Sequence, residues 1–164
     1  MQITNLTFDE IEIGDSTSYS RLITDQEVQA FAAISGDHNP LHLDPEYAAT
    51  TPFGECIAHG MLTAALISAT IAMQLPGPGS VYLSQSVQFR APVLLGDTLT
   101  VTLTVTGKHA KRPWVTLECE VTNQEGKTVA KGEAQVAAPT AKETVTAVPP
   151  PTIQLVEEAS LASD

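Results

Sequence analysis

The feature that most limits this chain is the run from Met61 to Leu75, which is apolar on nearly every face. Only Thr63, Ser68, Thr70 and Gln74 interrupt it. It is shorter than the ~20 residues that a membrane span needs. A helix with no polar side belongs in a protein interior, so the run predicts a core helix over residues 60–75. Pro76-Gly77-Pro78-Gly79 then stops it. The remaining elements have to build a shell around that helix.

Beyond residue 80 the hydrophobic period becomes two. Leu99, Val101, Leu103 and Val105 alternate with five threonines from Thr98 to Thr106, and Val115, Leu117, Cys119 and Val121 repeat the pattern. Residues 80–90 read as a strand ended by Pro92. Asn123 to Gly126 reads as a hairpin turn, and residues 127–137 as the returning strand. A further strand is predicted near 17–23. Thr24 and Glu27 form a capping box ahead of the helical stripe Val28, Phe31, Ala32 and Ile34, and Gly36 closes it, so residues 25–35 read as a helix. The SGDHNP segment after it reads as a loop. Asp44-Pro45 starts a second short helix near 45–50. This order predicts an α+β fold, an antiparallel sheet wrapped around one buried helix. Residues 1–138 are assigned to that domain. Residues 139–164, with Pro139 and Pro149 to Pro151 and no periodicity, are expected to form a mostly disordered tail.

Aromatic residues are only 5% of the chain, so Ala, Val, Leu and Ile must fill the core. Eight Lys and Arg face 19 Asp and Glu, a formal charge of −11. That balance argues against a general binder of nucleic acid or of an anionic membrane, which needs positive charge. Residues 1–60 carry ten acids and one base, Arg21, whereas residues 86–131 carry six bases and four acids. The charged end of an anionic ligand is therefore expected on the second region. Cys56 and Cys119 have no CxxC spacing and read as reduced thiols. The opening MQITNLTFDEIEIGD has no basic and apolar signal pattern, and a cytoplasmic protein is expected.

Catalytically capable side chains concentrate in Ser35-Gly-Asp-His-Asn-Pro-Leu-His-Leu-Asp44 and in Phe53-Gly-Glu-Cys-Ile-Ala-His-Gly-Met61. Asp37 and His42 flank a turn made by Asn39-Pro40. A carboxylate and an imidazole brought together there could bind and activate a water. Gly60 opens the core helix, and the unpaired N–H at such a start suits a developing oxyanion. His38 and His109 read as solvated, and His59 as packing beside the helix start. The four histidines include no HExxH spacing, and no metal is expected. No GxSxG, GxxxxGK or GxGxxG motif occurs.

SGDHNPLHLD followed by FGECIAHGM resembles the MaoC-like, (R)-specific enoyl-CoA hydratases of the hotdog fold. The likeness continues through LPGPGSVYLSQSVQFRAPVLLGDTLT and KGEAQVAAP, and covers roughly residues 6–139. FDEIEIGD and the Pro-rich stretch after AAPT also resemble the hydratase-like N-terminal part of fused hydratase/phosphate acyltransferases. The resemblance implies a homodimer and reversible hydration of a trans-2-enoyl-CoA to an (R)-3-hydroxyacyl-CoA, feeding fatty-acid oxidation or polyhydroxyalkanoate synthesis. It implies that Asp37 and His42 hold the catalytic water, without saying which removes its proton. Asn39 would support them, and the Gly60 N–H would polarise the thioester carbonyl. Ser68 and Ile71 match positions that line the acyl pocket, with plain core packing as their other reading. Arg90, Lys108, Lys111 and Arg112 are the candidates for the phosphates of coenzyme A. No cofactor is needed, because the thioester already acidifies the α-carbon.

Three other readings stay open at this point. The first is dehydration of a 3-hydroxyacyl thioester on acyl carrier protein, which the net negative charge disfavours because carrier protein is itself acidic. The second is a thioesterase, a class that lacks the paired Asp37 and His42 signature. The third is an acyl-CoA binding module without turnover, which has no use for a water-holding pair.

Overall fold

The structure, a computed structural model, describes residues 1–156. Its helices are α1 (Asp25–Ser35), α2 (Pro40–Leu43), α3 (Pro45–Ala49) and α4 (Gly60–Met73). Its strands are β1 (Gln2–Thr4), β2 (Ser16–Leu22), β3 (Val81–Phe89), β4 (Thr98–Lys108), β5 (Trp114–Thr122), β6 (Thr128–Ala137) and β7 (Thr144–Thr146). Five strands form an antiparallel sheet in the order β2-β4-β5-β6-β3. Register shifts between Val105 and Gly107, between Val121 and Thr122, and between Tyr82 and Ser84 bend that sheet. It curls around α4, which is the expected α+β hotdog arrangement.

The period-two pattern becomes the inner face of the sheet. Leu99, Val101, Leu103 and Val105 are at most 1% exposed, as are Val115, Leu117, Cys119 and Val121. Against them α4 presents Thr63, Leu66, Ile67, Thr70 and Ile71, all buried and spaced at three and four residues. Here the structure differs from the expectation of a helix buried all round. Ala65, Ala69 and Ala72 are exposed, and Met61 is 60% exposed on the same helix. One face of α4 is in the core, and its outer face is apolar but uncovered within a single chain.

The helix ends follow the local chemistry. Thr24 and Glu27 form both bonds of the capping box of α1, and Gly36 closes it with φ at +77°. Asp44 accepts from Glu46 N and Tyr47 N at the start of α3. The SGDHNP segment, read as a loop, runs into α2, a single turn started by Asn39 as N-cap and Pro40 as first residue. One turn is too short to leave a periodicity in the sequence. No helix among the described residues is long and apolar enough to cross a membrane.

Within residues 139–164, expected as a tail, lies the short strand β7. That strand pairs with β1, Ile3 facing Val145. The Asn5 side chain donates to Ala141 O at 3.0 Å and accepts from Glu143 N at 3.0 Å. Lys142 Nζ lies 2.9 and 2.8 Å from the two carboxylate oxygens of Glu10. Three-residue strands carry no readable alternation, which is why this pair escaped the pattern. The expectation for residues 157–164 lies outside the described residues.

The Lys142 ammonium, helped by Thr7 N and the Thr7 hydroxyl, holds the Glu10 carboxyl down at about 2. A carboxylate with a depressed folded pKa stabilises fully above its unfolded value, 4.5 here, and loses that contribution as pH falls through the folded one. The melting temperature of Lys142→Met should therefore lie below that of the parent at pH 6. The gap should close as pH falls from 4.5 to about 2. A gap that persists at pH 2 would show that this pair does not tie the terminal segment down.

Candidate active site

The turn after α1 and the start of α4 meet at one cavity of about 460 Å³, bordered by Asp37, His42, His59 and Gly60 and walled by Phe31, Met61 and Phe89. Each polar member is placed by the backbone. The αL turn at Gly36 redirects the chain, and Asp37 Oδ1 then accepts from Asn39 N at 3.3 Å. Asn39 Oδ1 caps α2 through Leu41 N at 3.0 Å. That single turn carries His42 inward, where its side chain is 11% exposed against 53% for Asp37. Leu41 O accepts from Ile57 N at 3.4 Å, and Ala58 N donates to Val93 O at 2.8 Å, so the segment before α4 is stitched to both sides.

His42 Nδ1 lies 2.7 Å from Ile57 O. A carbonyl oxygen only accepts, so Nδ1 carries the proton, and in the neutral ring Nε2 is left with its lone pair. Nε2 faces Asp37 Oδ2 at 3.9 Å, too far for a direct hydrogen bond. A water placed about 2.8 Å from both atoms would subtend roughly 90°, near its own H–O–H angle. The pair is therefore spaced to hold one water by both of its hydrogens.

His59 lies beneath this pair, 3% exposed. Its Nε2 donates to Asp37 O at 2.9 Å, and its ring stacks on His42 with centroids 3.8 Å apart. Its Nδ1 is buried with no partner among the described residues. An unsatisfied buried polar atom costs about 1–3 kcal/mol. His38 stands four residues before His42 but lies outside α2, exposed, with Nδ1 on Gly36 O at 2.9 Å. Ligand atoms of Asp37, His42 and His59 come within 4.8 Å of one another.

Gly60 is the first residue of α4, and its N–H has no hydrogen-bond acceptor among the described residues. A Cβ added there would meet three ring atoms of Phe89 at 3.1–3.2 Å. Gly60 and Phe89 also border a second cavity of about 410 Å³ with an apolar lining that includes Ile57, Val93 and Val129. Phe89 was not picked from the sequence. Its signal was an aromatic at the end of a strand in a chain with few aromatics.

Of the expected substrate contacts, Arg90 is exposed and borders the second cavity. The other three cations do not join it. Lys108 Nζ donates to Phe8 O at 2.7 Å and to Ile11 O at 2.6 Å, so it ties the N-terminal segment to β4. Arg112 stacks over Trp114 at 4.4 Å, and Lys111 is exposed in the same turn. Trp114 pairs with Ala137, as does Val81, at the sheet end opposite Phe89. The nine residues of β3 put about 26 Å between those ends. Clustering in sequence within residues 86–131 did not mean clustering in space, because antiparallel strands return alternate turns to opposite ends. Ile71 is 1% exposed in the closed core and Ser68 is half-buried, and neither borders either cavity. Within one chain the packing reading describes Ile71.

A part-buried imidazole with a fixed tautomer, a carboxylate across a water-sized gap and a free helix-start N–H are together an arrangement that can do acid–base chemistry on a polarised carbonyl. The MaoC like domain family matches residues 10–131, and the chain belongs to that family. An (R)-specific enoyl-CoA hydratase of Rhodospirillum rubrum is 46% identical over 132 residues, 80% of this chain and 91% of that one. A 3-hydroxybutyryl-CoA dehydratase of Methylorubrum extorquens is 43% identical over 138 residues, 84% of this chain and 87% of that one. The solved R-hydratase of Pseudomonas aeruginosa, in its unliganded form, is similar at a TM-score of 0.91 and 48% identity, covering 95% of this chain and 100% of that chain.

The Phe89 contact predicts the cost of a methyl group at Gly60. Gly60→Ala should lower stability by about 1–2 kcal/mol through overpacking, and Phe89→Leu in the same chain should recover most of the loss. Thermal melts of the two single variants and the double variant check this. Equal losses with and without Phe89 would place the strain elsewhere.

Proposed function

We propose that this chain is an (R)-specific enoyl-CoA hydratase, adding water reversibly to a trans-2-enoyl-CoA to give an (R)-3-hydroxyacyl-CoA. One observation carries the reading: His42 Nε2 and Asp37 Oδ2, 3.9 Å apart, share a cavity with the free N–H of Gly60. The substrate's thioester oxygen sits at the Gly60 N–H, where charge develops as the enolate forms. The water held by the pair loses a proton to His42 Nε2 as its oxygen adds to the β-carbon. The imidazolium, balanced by the Asp37 carboxylate, returns that proton to the α-carbon, so one water is added in total. Asn39 supports the pair by capping α2 and holding the turn of Asp37. No metal or redox cofactor takes part, because the thioester acidifies the α-carbon.

The apolar cavity beside Gly60 suits the acyl chain, and Arg90 at its rim suits the anionic end of coenzyme A. Similarity to the named hydratase and dehydratase supports this assignment of substrate class. The working unit is a homodimer. The edge strand β3 exposes Val81 at 57%, Leu83 at 41% and Phe89 at 49%, and the outer face of α4 is apolar. Light scattering should give twice the chain mass of 17.3 kDa, and a monomer at micromolar concentration would overturn the dimer.

Crotonyl-CoA should lose its conjugated enoyl-thioester absorbance without release of thiol. Asp37→Asn and His42→Gln should each slow this by ~10²-fold or more, with coenzyme A binding kept. Thiol release would indicate a thioesterase. Binding without turnover, for short and long acyl chains and for carrier-linked substrates alike, would indicate a binding module.

A further inference from the structure

His59 was expected to be a packing residue, but its contacts reach every part of the site. The residue is the N-cap of α4, a position where Ser, Thr, Asp or Asn normally folds its side chain back onto the first free N–H groups. His59 makes no such bond. Its side chain turns the other way and donates from Nε2 to the backbone carbonyl of Asp37 at 2.9 Å. The same ring stacks on His42 with centroids 3.8 Å apart and planes 28° apart. Phe31 holds it from another side at 5.0 Å. Gly60, with its free N–H, is the next residue in the chain. A residue that only filled space here would be Leu or Phe, with no polar atom to bury. Instead a ring nitrogen, His59 Nδ1, is left unpartnered among the described residues at 3% exposure.

We propose that His59 is a positioning residue that sets the distance between the water-holding pair, Asp37 and His42, and the Gly60 N–H. The inference rests on the hydratase reading above and deepens it. His59 touches no reacting atom. It acts through the Asp37 carbonyl on one side and through the His42 ring on the other.

A double-mutant cycle with crotonyl-CoA tests this. His59→Phe keeps the ring and loses the donor; His59→Gln keeps a donor near the Nε2 position. His59→Phe should lower kcat by roughly 30-fold or more with KM within about threefold, and His59→Gln should stay within about fivefold of the parent. In an Asp37→Asn background His59→Phe should cost less than about threefold, because the group it positions is already disabled. A purely structural role would give the same loss in both backgrounds, or a Gln variant no better than Phe, and either result overturns the proposal. If His59→Phe does not fold, His59→Asn replaces it in the cycle, since its amide is too short to reach the Asp37 carbonyl. An inactive parent protein would sink the hydratase reading instead. His59 is then tested by long-range ¹H–¹⁵N correlation: its ring must be in the Nε2–H form, and an Nδ1–H form removes the link to Asp37.

Discussion

The seat of α4 in the curled sheet is the constraint on which the rest depends. Thr63, Leu66, Ile67, Thr70 and Ile71 lock one face of the helix onto strands whose inner residues are closed to solvent. That packing fixes the helix axis, and the axis fixes where the helix begins. Its first residue, Gly60, lies so close to the ring of Phe89 that a Cβ there would need the ring to give by a few tenths of an ångström. The close contact between a strand end and a helix start is what turns an ordinary unpaired N–H into one held at a defined place. The opposed register of β3 and β6, Phe89 facing Ala130, sets the other side of that contact.

Around this fixed point the site is built from backbone carbonyls rather than from a network of side chains. Ile57 O sets the tautomer of His42, and Asp37 O holds His59. The Ile57 carbonyl belongs to a segment stitched down by main-chain bonds, Ile57 through Leu41 and its neighbour Ala58 through Val93, and Asp37 follows Gly36, whose N–H donates to Ala32 O. A carbonyl oxygen cannot change its role with pH, so the Nδ1–H of His42 stays where it is. The variable proton is left to Nε2, on the side that faces Asp37. This arrangement separates the part of the imidazole that anchors from the part that reacts.

Much of this was legible in the residues. The alternation from Thr98 to Thr106 and the capping box at Thr24 report local physics, and each reappears where the pattern put it. Asp37, His42 and Gly60 stood out because reactive residue types crowded into two short segments beside helix ends. Less legible were features that depend on return paths of the chain. The contact of Phe89 with Gly60 and the stack of His59 on His42 join residues far apart in sequence or across a turn. The β1–β7 pair is too short to leave a period and is held by partners about 140 residues away, as with Thr4 and Thr144. Lys108 was picked for its charge, and the structure shows what its spacing could not: its ammonium donates to the carbonyls of Phe8 and Ile11.

The separation of the cations bears on how two chains would cooperate. Arg90 lies just beyond the Phe89 end of β3, and Lys111 and Arg112 lie at the other end of the sheet. If two copies pair along β3 about a two-fold axis, the strands run antiparallel, and the Val81 end of one copy comes beside the Phe89 end of the other. The turn carrying Lys111 and Arg112 of the second copy then approaches the cavity that Arg90 borders in the first. Grouped positive charge for a polyphosphate would in that case be a property of the pair of chains rather than of either one. The same pairing would cover the exposed apolar side chains of β3, Val81, Leu83 and Phe89 among them. Both the electrostatic and the hydrophobic shortfall of the single chain point to one shared edge.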